Sequence, residues 1–356
     1  MLLNSIFFLL SIASTVNAAA LFIFGDSLVD TGNNNYIIPH NRANSIPYGH
    51  NAFSGEPTGR FSDGRVIVDY IAEYAKLPLI PPFLQPSADF THGANFASGG
   101  AVVLPLSDQE TLVMDLPAQL NHFGDVQKLL RNKLGEEEAK DMIEEAVYLI
   151  SIGSNDYMVN YLGNPQMQQK YNPEMYVSMV IANLTNAILD LYDKGARKFA
   201  ILNLSPLGCI PTLRAMNPDV SGCFEAASAL ALAHNHALKT VLVNTLHRLK
   251  SIKFSNPEYS YNWLNNRIMN PSKYGFKDGV NACCGSGEYG GIYSCGDNAT
   301  DFKLCDNANE YIWWDSYHPT QRIHEQFAKA LWNQLPPPFG LRSYTLRHLF
   351  FENTRL

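Results

Sequence analysis

Four short stretches carry residue types that can do chemistry together: Gly25-Asp26-Ser27, Gly99-Gly100, Gly153-Ser154-Asn155 and Asp315-Ser316-Tyr317-His318. A serine hydroxyl is a weak nucleophile until a base takes its proton, and an imidazole base needs a third group to hold its tautomer. Asp315 and His318 are three residues apart. At that spacing one tight turn can bring the carboxylate to Nδ1 and leave Nε2 free to reach Ser27. Attack on a carbonyl builds negative charge on its oxygen, which needs hydrogen-bond donors. The candidates are the Ser27 N–H, the Gly100 N–H and the Asn155 side-chain amide, with Gly99 a near-equal alternative to Gly100. The set predicts acyl chemistry with Ser27 as nucleophile, His318 as base and Asp315 as its orienting group. Each piece alone is common: a capping Asp at a helix start gives the same Asp-to-His spacing, and an Asn after Gly usually marks a turn. The ordered combination is what carries the prediction.

Side chains so far apart in the chain need elements that end side by side. Apolar runs at Leu21–Phe24, Ala94–Ala97, Ala146–Ser151 and Lys198–Leu204 read as strands, and three of them end at Ser27, Gly99-Gly100 and Asn155. Helical spacing appears over 65–74, 116–134, 173–194, 223–252 and 320–335. Pro173 at the start and Gly195 past the end of the third helix follow the usual asymmetry of helix ends. Apolar strands alternating with helices predict an α/β fold with a parallel sheet covered on both faces. In such sheets ligands bind beyond the carboxyl ends of the strands. One domain over 20–340 is expected, with 341–356 a C-terminal tail of no clear pattern.

The chain has 356 residues, 46% apolar and 17% charged, with 26 Lys+Arg against 33 Asp+Glu and a net charge of −7. That excludes a disordered chain, a polytopic membrane protein and a nucleic-acid reader. Residues 1–19 read as a secretory signal peptide, with Val16-Asn17-Ala18 fitting a peptidase site. The expected location is extracellular, in the secreted fluid or cell wall, with no membrane span after cleavage. The six cysteines agree with an oxidising compartment. Cys209 and Cys223 flank a Pro-containing loop and are expected to pair, whereas Cys283, Cys284, Cys295 and Cys305 allow three pairings. No C-x-x-C pair exists and no His stands at ligand spacing, so zinc is not expected. Of three sequons, Asn298 in a loop and Asn183 on a helix are the glycosylation candidates; Asn203, at a strand end, reads as a hydrogen-bonded side chain.

The motifs resemble one family throughout. Phe24 to Asn34 is similar to the first block of the plant GDSL esterase/lipases, in the SGNH hydrolase superfamily. Pro57 to Arg65, Gly93 to Ala101, Ile152 to Tyr157, Asn203 to Pro211, Ala282 to Gly285 and Asp315 to Thr320 are similar to its further blocks. The resemblance runs from about residue 20 to 338. It implies a three-layer α/β/α sandwich, flavodoxin-like, with a five-stranded parallel sheet. It implies hydrolysis of carboxylic esters by Ser27, His318 and Asp315, the oxyanion roles of Gly100 and Asn155, and no metal or organic cofactor. The substrate is expected to be a small-molecule, lipid or cell-wall ester. Acyl transfer to an alcohol on the same residues, and a non-catalytic binding role, are the rival readings. Ser255-Asn256-Pro257-Glu258-Tyr259 departs from the family's pattern. The α/β-hydrolase elbow, G-x-S-x-G, is absent from the sequence.

Other residues read as structural. His234 and His236 sit two apart on a helix and point to different faces. His324 is expected to face solvent, and the tyrosines of 259–274 to pack. Asp26, Asp30 and Asn33 are expected to shape the loop behind Ser27, and Arg60 and Arg65 to pin the neighbouring loop.

Overall fold

The computed structural model describes residues 20–37, 42–105, 113–217, 222–244, 246–255, 259–296, 302–333 and 344–352. The signal peptide expected over 1–19 and the sequon at Asn298 lie outside the described residues. Five strands, β1 (Leu21–Gly25), β2 (Gly93–Asn95), β3 (Val147–Ser151), β4 (Lys198–Ile201) and β5 (Lys253–Ser255), form one parallel sheet in the order β2-β1-β3-β4-β5. This is the flavodoxin-like order. Every residue of β1 and β3 is buried, so their alternating side chains enter two separate cores. Phe22 and Phe24 join Phe96, Phe123, Tyr148 and Phe199 on one face, and Leu21 and Ile23 join Ile71, Val147 and Leu149 on the other.

The helices are α1 (Ile67–Tyr74), α2 (Leu116–Leu134), α3 (Glu136–Glu145), α4 (Pro165–Lys170), α5 (Pro173–Asp193), α6 (Pro211–Ala215), α7 (Glu225–Asn244), α8 (Ser260–Met269), α9 (Gln321–Asn333) and α10 (Leu346–Phe351). α2, α5 and α7 cover the aromatic face of the sheet, and α1, α9 and α10 cover the other. Side chains cap the long helices: Asp115 accepts from the Ala118 N–H at 2.9 Å, and Asn172 from the Met175 N–H at 2.8 Å. Among the described residues α5 alone is long and apolar enough to cross a membrane. It buries Val180, Leu184, Ile188 and Leu191 in the core instead. Asn183 lies on its exposed side.

Two elements differ from the sequence reading. The helix expected over 223–252 ends at Asn244, and the chain then enters β5. The C-terminal segment is not patternless: α10 buries Leu346, Leu349 and Phe350, and Phe350 lies 5.5 Å from Trp332 between ring centroids. The backbone carbonyl of Glu352 accepts from the buried Lys198 ammonium at 2.7 Å, and Glu145 pairs with the same ammonium at 2.7 Å. Buried charges persist only when paired in this way.

A smaller region follows the main sheet. β6 (Asp278–Ala282) pairs with β10 (Tyr311–Trp313), and β7 (Cys284–Ser286) lies between β8 (Tyr293–Ser294) and β9 (Lys303–Leu304). Disulfides join Cys209 to Cys223 and Cys283 to Cys305, while Cys284 and Cys295 are buried free thiols.

Candidate active site

The strand order reverses between β1 and β3, and the two strand ends there open the crevice in which such folds bind ligands. Ser27 follows β1 and Asn155 follows β3. The Asp26 N–H donates to the Ser151 carbonyl at 3.1 Å, so the serine turn is tied to the adjacent strand.

The Ser27 Oγ lies 2.7 Å from His318 Nε2. On the other side of the ring, Nδ1 lies 2.8 and 2.9 Å from the two Asp315 carboxylate oxygens. The three-residue spacing works as a tight turn: Asp315 Oδ1 also accepts the backbone N–H groups of Tyr317 at 2.9 Å and His318 at 2.7 Å. Burial alone would raise the Asp315 pKa. His318, the Tyr48 hydroxyl and the Tyr317 N–H outweigh burial and hold it below the ordinary carboxylate value. The turn is braced from behind, where the Cys284 N–H donates to the Trp314 carbonyl at 2.7 Å.

The three candidate donors face one chamber. Gly100, Asn155 and Ser27 all line it, together with His318 and Asp315. Gly99 does not, and its N–H is taken by Asp30 Oδ2 at 3.0 Å. A Cβ on Gly99 would come within 2.4 Å of the Phe61 ring. Gly100 has φ +90, which only glycine adopts without strain. The Asn155 amide gives one hydrogen to the Ala101 carbonyl at 3.0 Å, and a side-chain amide carries two.

Buried carboxylates hold the loops in register. Asp30 accepts from the N–H groups of Gly32, Asn33 and Gly99. Asn33 gives both amide hydrogens to the carbonyls of Asn95 and Ala97. Asp156 accepts from the N–H groups of Val103 and Leu104 and so ties the loop after β2 to the one carrying Asn155. Burial pushes Asp26 and Asp156 up to about 7 and Asp30 to about 6. Arg60 makes a two-pronged contact with Asp69 at 2.8 and 2.7 Å, and Arg65 pairs with Glu73.

Three contributors escaped the sequence reading. Tyr48 donates its hydroxyl to Asp315 Oδ2 at 2.6 Å. Asp63 accepts the Gln321 N–H at 2.7 Å, capping α9 just beyond His318. His324 does not face solvent: it is buried and lines the chamber. His234 is buried too, with Nδ1 bonded to the Tyr157 hydroxyl at 2.9 Å.

The chamber measures about 800 Å³, within the range of small-molecule sites. Leu28, Met158, Leu204, Trp263, Ile292 and Phe327 give it an apolar wall. A Ser–His–Asp hydrogen-bond chain on the wall of a chamber so lined suits reaction at a carbonyl bearing a hydrocarbon group.

Comparison with known proteins gives a consistent result. The sequence profile of the GDSL-like lipase/acylhydrolase family matches residues 21–331. The "GDSL lipase" of Tanacetum cinerariifolium is 45% identical over 335 residues, covering 93% of this chain and 88% of that one. The "GDSL esterase/lipase 5" of Arabidopsis thaliana is 46% identical over 343 residues, covering 94% and 88% respectively. The "GDSL esterase/lipase 1" of the same plant is 42% identical over 339 residues, with 92% and 90% covered.

Proposed function

The chain belongs to the GDSL-like lipase/acylhydrolase family and is a carboxylic ester hydrolase, and from that premise we propose that it is a secreted serine esterase or lipase working through Ser27, His318 and Asp315. Ser27 Oγ attacks the ester carbonyl while His318 Nε2 takes its proton. His318 then returns the proton to the departing alcohol oxygen. Asp315 keeps Nδ1 protonated and stabilises the imidazolium that forms. The N–H groups of Ser27 and Gly100 and the second amide hydrogen of Asn155 receive the oxyanion. Water, activated by His318 in the reverse sense, releases the acid from the acyl-enzyme.

The observation that carries this reading is the 2.7 Å contact between Ser27 Oγ and His318 Nε2, with Asp315 on the far ring nitrogen. We place the signal peptide at 1–19 and the hydrolase domain over 20–340, with the 341–356 extension docked on it through α10. Two disulfides are in keeping with an oxidising compartment, and Asn183 and Asn298 are the glycosylation sites of this reading.

The test is a fluorophosphonate probe together with a short-chain nitrophenyl ester. The probe should label Ser27 in the wild type, and Ser27→Ala should lose both the label and turnover. Hydrolysis by purified Ser27→Ala at the native rate would overturn the assignment.

A further inference from the structure

We infer that Gln119 is a positioning residue for Ser27: its side-chain amide continues the β1 ladder past the end of β2 and locks the nucleophile turn to the segment that carries Gly100. This adds a residue to the serine esterase reading and rests on it. Gln119 itself lines no part of the chamber.

β2 accompanies β1 only as far as Ile23, which pairs with Asn95, the last residue of β2. The Ile23 carbonyl accepts from the Phe96 N–H at 2.8 Å, and the Gly25 carbonyl accepts from the Ser98 N–H at 3.1 Å. Both carbonyls therefore point to the β2 side of β1. On the other side Gly25 lies in register with Ser151 of β3, so closely that a Cβ on it would come within 2.3 Å of the Ser151 carbonyl oxygen. The buried Gly25 N–H needs a partner where the strand has run out. Gln119 supplies it. Its Oε1 accepts the Gly25 N–H at 2.8 Å, and its Nε2 donates back to the Gly25 carbonyl at 2.8 Å. One side-chain amide thus offers a donor and an acceptor side by side, as a neighbouring strand would. The second Nε2 hydrogen goes to the Met114 carbonyl at 2.8 Å. Two carbonyls against Nε2 fix which way round the amide stands. The side chain is fully buried.

A rigid support aims this amide. Gln119 lies in the first turn of α2, the turn capped by Asp115, and its own N–H donates to the Asp115 carbonyl at 3.0 Å. The same bonds reach the oxyanion side. Ser98 and Met114 stand before and after Gly100 in the chain. The Met114 N–H donates to Ser98 Oγ at 3.2 Å, and Ser98 Oγ donates to Asn34 Oδ1 at 2.6 Å. Ser98 and Gln119 both hold the Gly25 carbonyl, two residues before Ser27. The nucleophile and the Gly100 donor of the proposed mechanism are therefore set against each other through one amide. A misplacement of about 1 Å between reacting groups can cost about 10²-fold in rate.

The test compares wild type with Gln119→Met, Gln119→Asn and Gln119→Glu, and takes Phe350→Ala as the reference for lost stability alone. Gln119→Met removes the amide, and Gln119→Asn keeps it one methylene short of Gly25. Each variant is assayed where it is folded, at about pH 6, on a short-chain 4-nitrophenyl ester and by the rate of fluorophosphonate labelling of Ser27. Gln119→Met and Gln119→Asn should lower kcat and the labelling rate by about tenfold to a hundredfold, with KM within about twofold of wild type. Phe350→Ala should keep both rates at an equal or larger loss of melting temperature. Gln119→Glu keeps the reach. Burial holds the carboxyl of nearby Asp26 up at about 7, and a carboxyl kept protonated by the same burial both donates and accepts towards Gly25. Its kcat should exceed that of the other two Gln119 variants by about threefold or more. The inference is overturned if Gln119→Met and Gln119→Asn stay within twofold of wild type in both rates, or if their loss lies in KM alone. It is equally overturned if Phe350→Ala loses kcat to the same extent, or if Gln119→Glu is no faster than the other two. Gln119→Asn decides should Gln119→Met not fold. Failure of the esterase reading looks different: wild type turns over no ester and the fluorophosphonate leaves its Ser27 unlabelled.

Discussion

Tyr48 and Asp315 are 267 residues apart in the chain, and their hydroxyl and carboxylate meet at 2.6 Å. Tyr48 is buried, and its ring packs 6.1 Å from Trp314 and 6.3 Å from Phe61, so the hydroxyl is held rather than offered. The carboxylate it meets is the one that holds His318, and the bond favours its charged form.

Tyr48→Phe should lower kcat more than it raises KM, since the lost bond supports the imidazolium formed in the proposed mechanism. Asp315 is held below its unfolded pKa, so its stabilising contribution is present above that value and is lost as pH falls through the folded one. Loss of Tyr48 should therefore cost about 1.5–3 kcal/mol of stability near neutrality. The cost should shrink below about pH 4, where carboxylates protonate in the unfolded chain. Urea unfolding of both proteins across that range checks this, and a cost independent of pH would count against a charged Asp315.

Asn155→Ala should reduce kcat by about 10²–10³ with little change in ground-state binding, the usual signature of a lost oxyanion donor. Gly100→Ala should be worse, because φ +90 is strained for any side chain. Steady-state kinetics on a soluble ester distinguishes the two. An Asn155→Ala enzyme within twofold of wild type would leave that amide without a role in the reaction.

Asp26 is held up near 7 by burial, well above the unfolded carboxylate. Between about pH 4 and 7 the folded protein therefore binds a proton that the unfolded chain has lost, and this group makes stability fall as pH rises. Asp26→Asn keeps an oxygen for the Leu28 N–H. Its stability relative to wild type should rise through that window by up to about 1.4 kcal/mol per pH unit and level off above about 7. Buried His324, lowered to about 3, acts in the opposite sense below the ordinary imidazole value. The informative quantity is thus the difference between variant and wild type at each pH.

Phe350→Ala should destabilise the protein by about 3–5 kcal/mol, the cost of emptying a buried aromatic site. The ring is 2% exposed and packs on Trp332, far along the chain from Ser27. At temperatures where the variant stays folded, kcat/KM should match wild type. Thermal unfolding and kinetics on the same sample test both halves, and an unchanged melting temperature would mean that α10 does not hold the fold together.

Much of the site was legible because chemistry sits where elements end. Ser27, Asn155, Asp315 and His318 occupy strand or turn ends that apolar runs and glycines mark locally. Tyr48 and Asp63 were not legible, because each matters through one contact more than 250 residues away. β5 was hidden by its length of three residues, too few for a two-residue alternation to show. His324 was misread by its polarity alone. It falls on one helical stripe with Phe327, Ala328 and Leu331, a spacing that would have turned it inward. The same test applied to Leu346, Leu349 and Phe350 would have found α10.

Ser27 and His318 are separated by 291 residues, yet in the proposed mechanism each needs the other to react. A growing chain thus leaves the ribosome with its nucleophile first and its base almost last. Until the segment carrying Asp315 and His318 has emerged and docked beside the first strand, the serine is an ordinary alcohol. On that mechanism the chain is its own safeguard, inert towards esters for nearly the whole of its synthesis.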